Sequence, residues 1–296
     1  MTEPPLLLAV PNVSEGRDRE AIEAIGAAFG TRAALLDVHS DPDHGRSVFT
    51  LAARQGELAQ ALLSGAREAI ARIDLTRHEG AHPHVGALDV VPVVYRAREQ
   101  RGAACAEALT AGARIGDELE APVFLYGQLA ASDDARERAA LRAGGPTRLA
   151  DRIASGDLHP DFGPPRADPK TGAVLVTARP PLIAFNLDLD TDEVELARAI
   201  AATLREAGGG PPGVRAIGLY LPARGCAQVS MNVHDHRAAP LGELVERVAA
   251  QAKIARAELI GLAPAAALET LPPGLPLRGF DPDRHTIEGA IRSAEL

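Results

Sequence analysis

Tryptophan is absent, and only three tyrosines and six phenylalanines occur in the 296 residues. So few rings argue against a base-stacking platform for single-stranded nucleic acid. A net charge of −9 opposes a phosphate backbone. No nucleic-acid partner is therefore expected. Cysteine occurs only at Cys105 and Cys226. Two distant thiols build neither a disulfide framework nor a four-thiolate metal site, so both read as small core residues in a reducing compartment. No apolar run nears the ~20 residues of a membrane helix. The opening Met1–Leu8 carries no basic leader. The expectation is a cytoplasmic protein with no membrane partner. Lysine is confined to Lys170 and Lys253, so an anion site here must be built mainly from planar arginine forks.

What is present is an ordinary globular balance, 46% hydrophobic and 24% charged. The length predicts two compact units. Strands are expected over Leu6–Val10, Ala33–Val38, Ser47–Ala52, Ala87–Tyr95 and Val123–Tyr126. Helical spacing of Ile22, Ile25 and Phe29, then of Leu58, Leu62, Ala66 and Ala69, then of Ala108, Ile115 and Leu119 places helices between them. The second half repeats the order, with strands over Leu182–Leu189, Val214–Leu221, Ala227–Val233 and Glu258–Leu262. Its first helix has capping-box spacing at Asp190 and Glu193, and its second carries Leu241, Leu244, Val245 and Val248. Both halves read strand–helix–strand–strand–helix–strand, the ferredoxin-like order, with an extra strand in the first. The expected class is α/β (α+β): two βαββαβ subdomains, residues 1–178 and 179–296, sheets facing each other and helices outside. Short helices are expected over Ala130–Asp161, a Gly/Pro-rich loop over Asp161–Gly172 and a last helix over Ile287–Ser293.

The densest chemistry lies in Arg77-His78-Glu79-Gly80-Ala81-His82-Pro83-His84. An imidazole in a loop beside a central strand suits proton transfer near neutral pH, although a solvated polar connection has the same composition. His78, His82 and His84, with His234 or His236, form a weaker pattern for zinc, because spacing of two fits no helical ligand pair. No metal is expected. Asp37 ends a strand and is placed to orient an imidazole, whereas Asp41 and Asp43 read as an Asx-type turn. Asn12, Asn186 and Asn232 lie in or near strands, where an amide either points into a cleft or caps a loop. Arg46, Arg77, Arg166 and Arg237 lie in expected loops and are candidates for binding anions. No Gly-x-Ser-x-Gly, Walker or dinucleotide pattern occurs.

Several blocks resemble a known family. They are Val10-Pro11-Asn12-Val13-Ser14-Glu15-Gly16, Arg77-His78-Glu79-Gly80-Ala81-His82-Pro83, Gly86-Ala87-Leu88-Asp89-Val90 and Leu125-Tyr126-Gly127, then Pro160-Asp161-Phe162-Gly163-Pro164, Leu182-Ile183-Ala184-Phe185-Asn186 and Gln228-Val229-Ser230-Met231-Asn232. In order along the chain they are similar to the formiminotransferase domain, without the cyclodeaminase domain of its bifunctional relatives. The resemblance implies a transferase that moves the formimino group of N-formimino-L-glutamate to N5 of tetrahydrofolate in histidine breakdown, and a homodimer. His82 matches the family's proposed general base. Gly163, Pro164, Pro165, Arg166, Ala167, Asp168, Pro169, Lys170, Thr171 and Gly172 match its folate-binding loop. Arg46, Asp37 and Asn12 are then the expected substrate-binding residues. The sequence departs from the family at His84, where a basic residue, most often Arg, is usual, and in a more polar folate loop. Competing readings are formyl transfer between 5-formyltetrahydrofolate and glutamate, a folate-binding protein without turnover, and a metal-dependent amidohydrolase.

Overall fold

The computed structural model describes residues 3–132 and 137–296, and the chain divides into two compact units that meet at Pro180–Pro181. In the first unit, strands β1 (Leu6–Ala9) and β2 (Asn12–Val13) run end to end between the same two neighbours, β4 (Arg46–Arg54) and β5 (Leu88–Val94). The break falls at Pro11, which has no N–H for the ladder. Strand β3 (Ala34–Asp41) pairs with the far edge of β4. Helices α1 (Arg19–Phe29), α2 (Leu58–Arg72) and α3 (Arg101–Leu119) fill the gaps between strands.

Beyond β5 the sheet continues in parallel through β7 (Val174–Arg179) to β6 (Val123–Leu125). The sequence reading includes β6 but omits β7. The strand is a six-residue apolar run between Gly172 and Pro180, and it lies inside the sheet, so the first unit carries two strands beyond the repeat. Two short helices, α4 (Arg138–Arg142) and α5 (Gly145–Ala154), precede it.

Helices α1 to α3 bury their apolar stripes on one face of this sheet. Phe29 of α1 meets Phe49 of β4 with ring centroids 5.3 Å apart. Each such fully buried ring contributes roughly 1.5–3 kcal/mol. Gly65 of α2 admits the Phe29 ring, because a Cβ there would sit 2.1 Å from a ring carbon. Helix α2 lacks a side-chain cap of its own. Instead Glu107 of α3, itself buried, accepts from the Ala59 amide at 2.8 Å, satisfying an orphan donor and opposing the positive end of the helix dipole. The other face of the sheet holds a smaller apolar cluster. Leu141, Leu149 and Ile153 of α4 and α5 pack there with Val90, Phe124, Tyr126 and Leu175.

In the second unit β8 (Ile183–Leu189), β9 (Val214–Leu221), β10 (Cys226–Val233) and β11 (Ile254–Ile260) form an antiparallel sheet in the order β11-β8-β10-β9. The first unit has the same order in β5, β1/β2, β4 and β3. The two halves therefore share the expected βαββαβ connectivity. Helices α6 (Val194–Leu204) and α7 (Leu241–Ala249) cover the face of Phe185, Leu187, Val229 and Met231. The opposite face is polar: the register aligns Asn186 with Ser230 and Glu258, and Asp188 with Gln228 and Arg256.

The capping box expected at Asp190 and Glu193 does not form. Helix α6 starts three residues later than that spacing requires, so that Glu193 stands at the N-cap rather than at N3 and makes no side-chain cap bond. Short α8 (Ala265–Leu268) and α9 (Pro282–His285) lead to α10, which spans the expected Ile287–Ser293. The cysteines are half-buried rather than core: Cys105 flanks the first apolar core, and Cys226 lies on the polar face of the second sheet. Among the described residues no helix is long and apolar enough to cross a membrane.

Candidate functional site

Strand alternation places the candidate side chains. Asn12 pairs with Val48 across β2 and β4, so Asn12 and Arg46 share the face away from α1–α3. Asp37 pairs with Thr50 and Asp41 with Arg46, which puts both aspartates on that same face. Tyr126 follows Leu125, whose partner Val176 faces the helices, so Tyr126 points to the other side with Thr177 and Arg179.

The connection between the strands expected over Ala33–Val38 and Ser47–Ala52 is shorter than residues 39–46. Strand β3 runs to Asp41 and β4 begins at Arg46, because Asp41 closes a tight Asx turn. Its Oδ1 accepts from the amides of Asp43 at 2.8 Å and His44 at 2.9 Å. The turn then holds the histidine loop: the Ala81 amide donates to the Asp43 carbonyl at 2.9 Å and the His82 amide to the His44 carbonyl at 3.3 Å.

Asp89 is the only charge in the otherwise apolar β5, and it is fully buried. Its Oδ1 accepts from the Val85 amide at 2.9 Å and its Oδ2 from Nη1 of Arg46 at 2.6 Å. Arg142 of α4 bonds the same Oδ2. Arg46 also donates through Nε to Oδ1 of Asn12 at 2.9 Å, while the Asn12 amide donates to the Val10 carbonyl at 2.7 Å. Burial alone pushes the Asp89 carboxyl up, but Arg142 and Arg46 outweigh it and hold it down to about 2.

His82 is half-buried beside this cluster. Its ring lies stacked with that of His44, centroids 5.9 Å apart. Nδ1 is 2.8 Å from the Pro83 carbonyl. A carbonyl only accepts, so Nδ1 carries the hydrogen and Nε2 is left as the basic lone pair. Loss of surrounding water pushes the imidazole well below its usual range, and the charges of Arg46, Arg142, His44 and Arg138 act in the same direction. In place of the near-neutral titration that suits a proton-transfer imidazole, His82 stays uncharged at pH 7. His84 and His78 contact each other edge to face at 4.1 Å. Both are lowered too, mainly by burial, and His78 donates from Nδ1 to the Ser14 carbonyl at 3.1 Å.

The 163–172 loop is fastened at both ends. At its start Phe162 exchanges backbone bonds with Val123, and Gly163, at φ +81°, has the Ala121 carbonyl 2.3 Å from where a Cβ would sit. At its end Ala87 donates to the Thr171 carbonyl at 2.9 Å, Ala173 to the Val85 carbonyl at 2.9 Å and Leu75 to the Lys170 carbonyl at 2.9 Å. Gly172, at φ +66°, and Gly86 allow this approach, since a Cβ on either would lie within 2.0 Å of a backbone oxygen. The loop end is thus bonded to the segment that begins three residues after His82. Pro165, Arg166, Asp168, Pro169 and Lys170 are exposed along it.

The structure brings Asn12, Arg46 and His82 into one neighbourhood and places Asp37 on the same face, further along β3. Arg77, Arg166 and Arg237 are exposed and form no part of the buried cluster. Asp89, Arg142, Tyr126 and Arg179 are absent from the sequence-derived site. A lone aspartate in an apolar central strand is a legible signal, because a buried charge demands partners. Arg142 carries no such signal. Among the described residues no group of three or more His, Cys, Asp or Glu is arranged to hold a metal ion.

The first unit thus sets an uncharged, desolvated imidazole beside two buried guanidiniums on an α/β scaffold. The chain matches the formiminotransferase domain, N-terminal subdomain, over residues 6–179, and the formiminotransferase domain over residues 184–271; it belongs to the formiminotransferase family. It is 36% identical over 267 residues to the glutamate formimidoyltransferase of Streptococcus pyogenes serotype M1, covering 88% of this chain and 89% of that one. The glutamate formimidoyltransferase of Thermoplasma acidophilum is 35% identical over 286 residues, covering 93% of this chain and 94% of the relative. The formimidoyltransferase-cyclodeaminase of Sus scrofa is 38% identical over 282 residues, 89% of this chain. The chain spans about half the length of that animal relative, 51% of it.

Proposed function

We propose that this protein is a glutamate formimidoyltransferase, moving the formimino group of N-formimino-L-glutamate to N5 of tetrahydrofolate, with tetrahydrofolate as co-substrate. The observation that carries the reading is the pairing of an uncharged His82 with the Arg46–Asp89–Arg142 cluster. His82 Nε2 takes the proton that N5 sheds as the new carbon–nitrogen bond forms. It then returns that proton to the glutamate nitrogen as the old bond breaks. A poorly basic imidazole is a strong acid once protonated, which favours the second step. Residues Gly163–Gly172 hold the folate, and their attachment to Val85 and Ala87 supports a fixed distance between folate and His82. Holding two reactants in one geometry supplies up to ~7–11 kcal/mol of the barrier reduction, more than the proton transfer does. Arg46, Asn12 and Asp37 face the amino-acid substrate. The protein acts as a cytoplasmic homodimer.

The test is spectroscopic. Protein mixed with N-formimino-L-glutamate and tetrahydrofolate is expected to generate the N5-substituted folate. Tight folate binding without product makes the protein a binder instead, and turnover without folate that chelation abolishes makes it an amidohydrolase.

A further inference from the structure

Among the described residues, two guanidiniums bond the single Asp89 carboxylate. Arg46 and Arg142 share one carboxylate oxygen, and their side chains are only 9% and 7% exposed. Arg138, one turn before Arg142, lies within electrostatic range of Arg46, Arg142 and Arg179. The Nε of Arg142 is buried and meets no hydrogen-bond acceptor among the described residues. A buried donor without an acceptor costs more than an ordinary hydrogen bond contributes, and a surplus buried cation costs more again.

The second sheet shows the ordinary arrangement. There Arg224, Arg256 and Arg278 face Asp188 and Glu258, again with cations in excess. But Arg256 and Arg278 are 39% and 52% exposed, so water screens the surplus. The cluster at Asp89 has no such relief.

We propose that a glutamyl carboxylate completes the Asp89 cluster, with Arg142 as the specificity-determining residue and its Nε–H as the waiting donor. The choice of ligand rests on the transfer reading above, in which both reactants carry glutamyl carboxylates: the amino-acid substrate and the tail of the folate. Arg46 already donates through Nη1 to Asp89 and through Nε to Asn12. Arg142 offers the fixed side of a guanidinium fork, whose geometry matches a carboxylate. Arg138 and Arg179 supply attraction in a protein whose overall charge of −9 supplies none. Because Arg46, Arg142 and Arg138 all act on His82, an anion bound among them also favours the protonated imidazole.

The experiment reads binding, not turnover. Wild type and Arg142→Met are titrated with L-glutamate, N-formimino-L-glutamate, folate and pteroate, the last lacking the glutamyl tail. At least a tenfold loss for the two amino acids assigns the site to the amino-acid substrate. A tenfold loss for folate but not for pteroate assigns it to the folate tail. Unchanged affinity for all four, with native circular dichroism, overturns the proposal. If Arg142→Met does not fold, Arg142→Lys keeps the charge but loses Nε–H, and at least a threefold loss is expected; no loss overturns the proposal. In wild type, the His82 imidazole followed by NMR is expected to titrate at higher pH when the glutamyl ligand is bound, and bound ligand with an unmoved His82 overturns it. None of these readouts needs formimino transfer, so an inactive protein that loses glutamyl binding with Arg142→Met refutes the transfer reading alone.

Discussion

Nη1 of Arg46 lies 2.6 Å from Oδ2 of Asp89, joining β4 to β5 across the intervening β2. The other oxygen of that carboxylate holds the Val85 amide. One buried anion therefore fixes both a candidate substrate-binding arginine and the backbone just beyond His82.

Replacing that anion by its neutral isostere, Asp89→Asn, leaves two guanidiniums buried against an amide. The expected loss is about 3–5 kcal/mol of folding stability, measured by urea denaturation. A loss below about 1 kcal/mol contradicts the structural role of the cluster.

The same carboxyl makes stability depend on acid. Its folded value of about 2 lies below its ordinary 3.8, so its contribution is complete above pH 3.8 and disappears as pH falls towards 2. The depression is worth about 2 kcal/mol. Denaturation midpoints recorded between pH 5 and 2 should fall along this curve, and the Asp89→Asn variant should lack that component.

His82→Ala removes the proposed base from a half-buried loop position. Turnover is expected to fall by about 10²–10⁴ while the circular dichroism spectrum and melting curve stay native. Near-wild-type turnover removes His82 from the mechanism.

In the proposed mechanism a neutral His82 accepts the proton, and burial with the neighbouring arginines keeps it neutral below its ordinary 6.5. The kcat/KM profile should therefore hold its plateau through neutrality and decline only on the acid side of 6.5. Arg46→Gln removes one cation, so its acid limb should move to higher pH. A shift to lower pH contradicts the electrostatic account.

Much of this arrangement is legible in the amino-acid order. The shared βαββαβ pattern follows from alternating and helical apolar spacing, and Leu241, Leu244, Val245 and Val248 all lie in the core. Asp41 forms the Asx turn that its type and position suggest. Two things were not legible. Strand β7 followed a Gly/Pro loop and preceded Pro180-Pro181, so its short apolar run stood without the flanks that mark an element. Arg142 sits in an Ala/Arg-rich stretch where nothing local distinguishes it from Arg138 or Arg148. Its role arises only when α4 packs Leu141 onto the sheet and carries the next side chain to Asp89.

Gly172→Ala places a methyl 2.0 Å from the Val85 carbonyl at a positive φ. The expected cost exceeds about 1 kcal/mol, and the folate dissociation constant should rise in a direct titration. Equal affinity and stability show that the loop end does not depend on this contact.

The mutual backbone pairing of residues 85–87 with 171–173 has a practical corollary for engineering. A chimera that imports a foreign 163–172 segment also inherits a demand on the recipient's 85–87 stretch. The two pieces form a single module for transplantation, and exchanging one alone breaks the backbone pairing that anchors the stretch just after His82.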